Sequence, residues 1–302
     1  MTDVVVRTTQ LTKRYRSVLA VDRLDLEIHR GQIFGLIGPN GAGKTTTLNM
    51  ILGIIYPTSG DVELFGATAA RALHQARQRI GAIIADGSFL PYLTADENLR
   101  VFTQTLGFAN TARVSEVIEL VGLTPHRQKK FRAYSTGMRR RLELAAAILR
   151  DPELLILDEP FNGLDPQGMY EVRTLLLQLA AEGKTIVFSS HWLKDVEQLC
   201  NTVAVIHQGR LVKYGPLREL LLAKNQIRLR IADPEPCIAL LKQHPWAQDI
   251  ERADGWIVIY TAHERSSEIA EILAQQQRYP IELRWADISL EDFFLSVTKE
   301  AP

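Results

Sequence analysis

Two cysteines, Cys200 and Cys237, are all that 302 residues provide. They form neither a metal-ligand spacing nor a disulfide framework, which excludes a zinc ribbon or a secreted disulfide scaffold and leaves packing roles in a reducing compartment. Long apolar runs are missing too. Residues 142–149 and 154–157 are short and flanked by charge, well below the ~18 residues that span a bilayer. The start, Met1-Thr2-Asp3-Val4-Val5-Val6-Arg7, has no apolar segment of the secretory type. The chain is therefore expected to be soluble and cytoplasmic, with any membrane role supplied by another polypeptide. Charge of one sign is lacking: Lys+Arg 35 balance Asp+Glu 35 for a net charge of +0, so nothing pulls the chain toward nucleic acid or an anionic bilayer. There is no internal repeat, no heptad run and no low-complexity segment.

What remains is an ordinary globular composition, 46% hydrophobic and 23% charged, in a length that suits one large or two average domains. The first 215 residues alternate β-branched runs with helical stretches, which predicts an α/β core around a mainly parallel sheet, preceded by an antiparallel β subdomain. Strands are expected at residues 4–7, 24–28, 33–37, 154–158, 185–189, 203–207 and 211–214. Residues from about 87 to 150 read as a helical subdomain inserted between two core strands. Within it Val114, Val117, Ile118 and Val121 share one helical face. Gly215-Pro216 breaks the pattern, and 216–302 read as a second, small α+β domain. Strand 226–231, helix 235–243, a hairpin over 249–261 turning at Asp254-Gly255, helix 266–276 and strand 281–285 give βαββαβ, a ferredoxin-like order. In the last segment Leu290, Phe293, Phe294 and Val297 form one apolar stripe, expected to pack on its own domain.

The strongest local signal is Gly38-Pro39-Asn40-Gly41-Ala42-Gly43-Lys44-Thr45, which fits G-x-x-x-x-G-K-[ST]. An apolar strand precedes it, and a helix beginning near Thr45-Thr46 follows. Backbone N–H groups of such a loop curl around a polyphosphate, with the helix N-terminus adding a favourable dipole. Lys44 would reach the β- and γ-phosphates, and the Thr45 hydroxyl would help to hold Mg²⁺. The chain is expected to bind a nucleoside triphosphate.

Chemistry needs a second element. The run Leu154-Leu155-Ile156-Leu157-Asp158-Glu159-Pro160 delivers two carboxylates at a strand end. Asp158 is suited to Mg²⁺ and Glu159 to orienting or deprotonating a water. Ser135 and Gly137, in Tyr134-Ser135-Thr136-Gly137-Met138, stand at the start of a helix, where Ser135 reads either as an N-cap or as part of an anion site. His191, in Ser189-Ser190-His191, follows a strand on the side expected for phosphates. Tyr15 is placed early enough to stack on a purine. Asp165, in Asn162-Gly163-Leu164-Asp165, either caps the next helix or crosses a dimer interface.

In this order the motifs resemble the nucleotide-binding subunit of ATP-binding cassette transporters, over residues 4 to about 215. GPNGAGKTT resembles the Walker A motif, YSTGM the signature, LLILDEP the Walker B motif, NGLD the D-loop and SSH the switch histidine, while Tyr15 falls at the adenine-stacking aromatic. The resemblance implies a head-to-tail dimer with two ATP sandwiched between Lys44, Thr45, Asp158 and Glu159 of one subunit and Ser135 and Gly137 of the other. It implies hydrolysis through Glu159 and His191, and separate integral membrane permease subunits, with the cassette held at the cytoplasmic face of the membrane. Two positions depart from the family pattern. Thr136 stands where glycine is usual, and Ala85 where a glutamine is usual; an alanine has no side-chain amide to offer a metal, so either Asp86 substitutes for it or the site works without this contact.

The tail Ile288-Ser289-Leu290-Glu291-Asp292-Phe293-Phe294 resembles the extension of export subunits, and the small domain is expected to support dimerisation. The alternative is a soluble cassette ATPase working on nucleic acid or ribosomes. It fits less well, because one P-loop, no heptad run and no basic excess are present. An ordinary P-loop kinase or GTPase has no use for YSTGM or SSH, and no Asn-Lys-x-Asp guanine reader occurs.

Overall fold

The computed structural model describes residues 4–84, 89–107, 110–222, 226–253, 255–262, 264–286 and 289–299. Its chain divides into two compact units, Met1–Tyr214 and Gly215–Pro302.

The first unit opens with two long strands, β1 (Val4–Tyr15) and β2 (Val18–His29). They pair antiparallel, and β1 also pairs with β4 (Ser59–Leu64), giving the three-stranded order β2-β1-β4. In β2, Val21, Leu24, Leu26 and Ile28 are buried while Arg23, Asp25 and Glu27 face away, the alternation of a sheet wet on one side. Sequence patterning places only residues 4–7 and 24–28 in strands. The remainder of β1, Thr8-Thr9-Gln10-Leu11-Thr12-Lys13-Arg14-Tyr15, is too polar to show as a strand and is held by pairing on both edges.

Between these strands and the rest run β3 (Ile33–Ile37), α1 (Lys44–Leu52), α2 (Ala70–Arg77) and β5 (Ile80–Ile83). Then come α3 (Ala95–Thr105), α4 (Thr111–Leu120), α5 (Thr136–Ala147), β6 (Leu154–Asp158), α6 (Pro166–Ala181) and β7 (Thr185–Ser190). The unit finishes with α7 (Leu193–Leu199), β8 (Thr202–His207) and β9 (Arg210–Pro216). Six strands form one sheet in the order β5-β6-β7-β3-β8-β9, parallel from β5 through β8. All residues of β3 and β7 are buried, as a sheet covered on both faces requires. Leu36, Ile156, Val187 and Ala204 of this sheet share one apolar cluster with Val5, Leu11 and Leu24 of the antiparallel sheet, so the two layers are one core.

The helical segment α3–α5 lies between β5 and β6, as expected. Val114, Val117 and Ile118 on α4, with Val121 just beyond it, are at most 3% exposed, which confirms the predicted face. Its helices are capped by side chains: Thr94 and Glu97 form a reciprocal capping box on α3, Asn110 caps α4 and Ser135 caps α5. Arg127 grips both Asp96 oxygens, at 2.8 and 2.5 Å, and ties α3 to the turn at Thr124–His126. The strands β4 and β5 and the helix α2 are not legible from periodicity. They are short, and β5 lies on the sheet edge. Beside β5, Arg79 and Arg30 bind Glu153 and hold its carboxyl down at about 2.

The second unit contains α8 (Leu217–Leu222), β10 (Gln226–Arg230), α9 (Pro234–Leu241), β11 (Ile250–Ala253), β12 (Trp256–Tyr260), α10 (Arg265–Gln275), β13 (Glu282–Ala286) and α11 (Leu290–Lys299). Its sheet runs β11-β12-β10-β13 with every pair antiparallel, the ferredoxin-like order predicted. Ile227, Leu229, Ile257, Ile259, Ile269 and Leu273 make its core. The hairpin joins β11 to β12 as expected; of its turn pair, Asp254 lies outside the described residues. Leu290, Phe293 and Val297 of α11 are buried and Phe294 is half-buried. Both cysteines are buried and unpaired, in keeping with packing roles. Among the described residues no helix is long and apolar enough to cross a membrane.

One contact sets how closely the helical segment meets the parallel sheet. A Cβ on Gly81 of β5 would lie 2.1 Å from the Ala147 carbonyl oxygen at the end of α5. Gly81→Ala is therefore expected to push α5 off the sheet edge at a cost of about 1–3 kcal/mol, read as a lower urea midpoint.

Candidate active site

The loop between β3 and α1 carries the phosphate-binding pattern. Pro39, Asn40 and Gly41 are exposed, while Gly38, Ala42 and Lys44 are buried and Thr46 is half-buried. Gly43 has φ +106°, and a Cβ there would meet the Ala20 carbonyl oxygen at 2.5 Å. Only glycine fits both conditions. The Lys44 ammonium, 6% exposed, donates to the Gly38 carbonyl at 2.8 Å and lies 3.3 Å from that of Pro39. The lysine thus folds back over its own loop.

Three strand ends bring the other groups to this loop. Parallel pairing sets Ile37 beside Ser190 and Asp158 beside Ser189, so the ends of β3, β6 and β7 lie level. The Thr45 hydroxyl donates to Asp158 Oδ2 at 2.7 Å. Glu159 Oε1 is 3.5 Å from the Lys44 ammonium, and its Oε2 is 2.8 Å from His191 Nδ1. One carboxylate therefore lies between a buried cation and an imidazole. Glu159 itself has φ +48°, a left-handed conformation uncommon for a non-glycine residue.

Thr45 and Asp158 offer two hard oxygens side by side, the donor type that Mg²⁺ takes from a protein while phosphates and water complete its shell. No group of three His, Cys, Asp or Glu among the described residues forms a cage for a metal.

A family model described as ABC transporter matches residues 21–162. The bacitracin transport ATP-binding protein BcrA of Bacillus licheniformis is 38% identical over 296 residues, 97% of each chain. The chain belongs to the ABC transporter ATP-binding family. The Nod factor export ATP-binding protein I of Ralstonia nicotianae is 36% identical over 95% of this chain and 92% of its own. A solved ATP-binding subunit of an ABC transporter superposes with TM-score 0.64 at 27% identity, over 72% of this chain and 91% of that one. A dimeric ATP-binding cassette in a post-hydrolysis state, bound to ADP and Pi, gives TM-score 0.64 at 25% identity over 70% and 99% of the two chains. The chain is an ATPase of this family, and ABC cassettes bind ATP.

The structure brings Lys44, Thr45, Asp158, Glu159 and His191 of this ABC cassette into one group of polar contacts. Ser135, at the start of α5, is exposed and accepts from the Met138 N–H, so the cap reading is realised. Asp165 likewise caps α6 by accepting from the Gly168 N–H at 3.0 Å. Their two loops touch: a Cβ on Gly163 would lie 3.4 Å from Thr136 Cγ2, and one on Gly137 would lie 3.9 Å from Leu164 Cδ2. Tyr15 stands 45% exposed at the end of β1, with the Lys13 ammonium 5.1 Å from its ring centre. Ala85 and its expected substitute Asp86 lie outside the described residues.

Sequence reasoning misses Ser189. Periodicity marks it only as the residue at which a strand ends, yet its hydroxyl touches both acidic residues. The signal available is a pair of buried serines, Ser189 and Ser190, closing a strand whose middle residues are apolar.

Thr45→Val removes one of the paired oxygens and leaves Asp158 Oδ2 without its donor. The expected result is a half-saturating Mg²⁺ concentration for ATP turnover raised at least about tenfold, with nucleotide binding in EDTA unchanged, read by titrating the metal at fixed ATP.

Proposed function

We propose that this chain is the energy-coupling ATPase subunit of an export system, closing head-to-tail on a second cassette around two ATP and driving separate membrane permease subunits. The observation that carries this reading is the Glu159 carboxylate poised between Lys44 and His191, beside Thr45 and Asp158. The relatives named for bacitracin transport and Nod factor export, matched over nearly the whole chain, support the export direction. The dimeric neighbour supports the sandwich. Residues 216–302, the small domain, are assigned to dimer support, and residues 1–215 to nucleotide binding.

In this reading the loop N–H groups of residues 40–46 hold the β- and γ-phosphates, and the Lys44 ammonium turns from the Gly38 and Pro39 carbonyls toward them. Tyr15 stacks on the adenine. Thr45 and Asp158 would hold Mg²⁺, which would supply charge neutralisation on the phosphate oxygens. Departure of Lys44 leaves the carboxylate of Glu159 free to take a proton from the attacking water, as a general base must. His191, donating from Nδ1 to Glu159, fixes the direction of that carboxylate beside the phosphate site. The Ser135 hydroxyl accepts from Met138 N–H and so retains its own hydrogen to donate, with the Gly137 N–H, to ATP on the opposing subunit. Asp165, on the loop packed against that signature loop, lies at the same interface.

Glu159→Gln separates base from binder. With MgATP, turnover is expected to fall roughly 10²- to 10⁴-fold, while the molar mass by light scattering moves to that of a dimer. Turnover at the wild-type rate would remove Glu159 as the base and the mechanism with it.

A further inference from the structure

We propose that Ser189 is a positioning residue for ATP hydrolysis, its single hydroxyl setting both the face that Asp158 turns to the metal and the backbone conformation that aims Glu159. This rests on the ATPase reading above and extends it to a residue that binds neither substrate nor metal.

Ser189 is fully buried near the end of β7, in register with Leu36 of β3 on one side and Asp158 of β6 on the other. Its hydroxyl donates to Asp158 Oδ1 at 2.5 Å and accepts from the Glu159 N–H at 2.9 Å. The group thereby acts as donor and acceptor at once. Tying Oδ1 inward leaves Oδ2 as the oxygen that meets the Thr45 hydroxyl, at 2.7 Å. The carboxylate is thus pinned in the plane that presents one oxygen beside Thr45.

The bond to Glu159 acts on the backbone. A left-handed φ of +48° at a glutamate persists only where its surroundings over-determine it, and the N–H of that residue is the atom Ser189 holds. The left-handed turn sends the Glu159 side chain back across the strand end to within 3.5 Å of Lys44 and 2.8 Å of His191. The neighbouring Ser190 acts elsewhere, because its hydroxyl accepts from the Trp192 N–H and donates to the Trp192 carbonyl, shaping the turn that carries His191. The two serines divide the site, Ser190 serving the histidine and Ser189 the carboxylates.

Because Ser189 works through Asp158 and Glu159, its loss should appear in the chemical step and in the metal requirement, leaving the capture of nucleotide intact. The test compares steady-state turnover of the full chain and its Ser189→Ala, Ser189→Cys and Ser189→Thr variants, varying ATP and Mg²⁺ separately. Ser189→Ala is expected to lower kcat roughly 10- to 100-fold, the range for residues that orient a metal-binding group. KM for ATP should stay within about twofold, and half-saturating Mg²⁺ should rise several-fold. Ser189→Cys, nearly the same shape with a weak donor, should show the loss without a change in melting temperature, and Ser189→Thr should restore turnover. A kcat within about twofold of wild type in both Ala and Cys variants overturns the proposal, as does a loss confined to KM. Run in parallel, an inactive Glu159→Gln with a normal Ser189→Ala removes only the role of Ser189. A fully active Glu159→Gln removes the role of Glu159 as base, and with it the mechanism on which this proposal rests.

Discussion

The arrangement depends on the parallel register of three buried strands. β3, β6 and β7 run side by side in one direction, so their C-terminal ends arrive at the same edge and their following loops open onto the same crevice, as open α/β sheets require. The register sets Ile37 against Ser190 and Asp158 against Ser189. A slip of one residue would turn every side chain of a strand to the opposite face, separating Asp158 from Thr45 and Ser189 from both acids. Because β3 and β7 are buried throughout, apolar packing on both faces holds that register.

Given the register, electrostatics arranges the rest. A lysine ammonium that is only 6% exposed must find partners, and it finds the Gly38 and Pro39 carbonyls and the Glu159 carboxylate. These are weak competitors for a polyphosphate, which brings several negative charges to the same point. Glu159 is bound on its other oxygen by His191, so the carboxylate has a fixed direction even when the lysine turns away. The same economy appears at the helix starts. Ser135 and Asp165 satisfy their own helices by accepting hydrogen bonds, and the two loops that carry them pack together in one surface.

Much of this is legible in the sequence, for reasons particular to each part. The apolar blocks 33–37 and 154–158 match their strands to the residue, because a strand buried on both faces has little but apolar residues to show. The face Val114, Val117, Ile118 and Val121 is readable because helical spacing is strict. The βαββαβ order of the second unit follows from alternating strand and helix signals, with the hairpin marked by Asp254-Gly255. By contrast, the polar half of β1 carries no apolar alternation and is a strand only because β2 and β4 flank it. Short edge strands such as β5, whose pairing is with one neighbour, leave too few residues to establish a period.

The chemistry is readable from the order of residues: a glycine-rich loop with Lys44 and Thr45, two adjacent carboxylates, a histidine after a strand, and two helix-start motifs, in an order shared with the ABC family. Residue type and local spacing are enough for that, since each motif is built within a few residues. The folded chain alone reveals which oxygen of Asp158 meets Thr45, that Glu159 lies between Lys44 and His191 in a left-handed turn, and that Ser189 holds both acids. Those relations join residues separated by about thirty to more than a hundred positions along the chain, and such distances are closed by strand pairing, which no local pattern encodes.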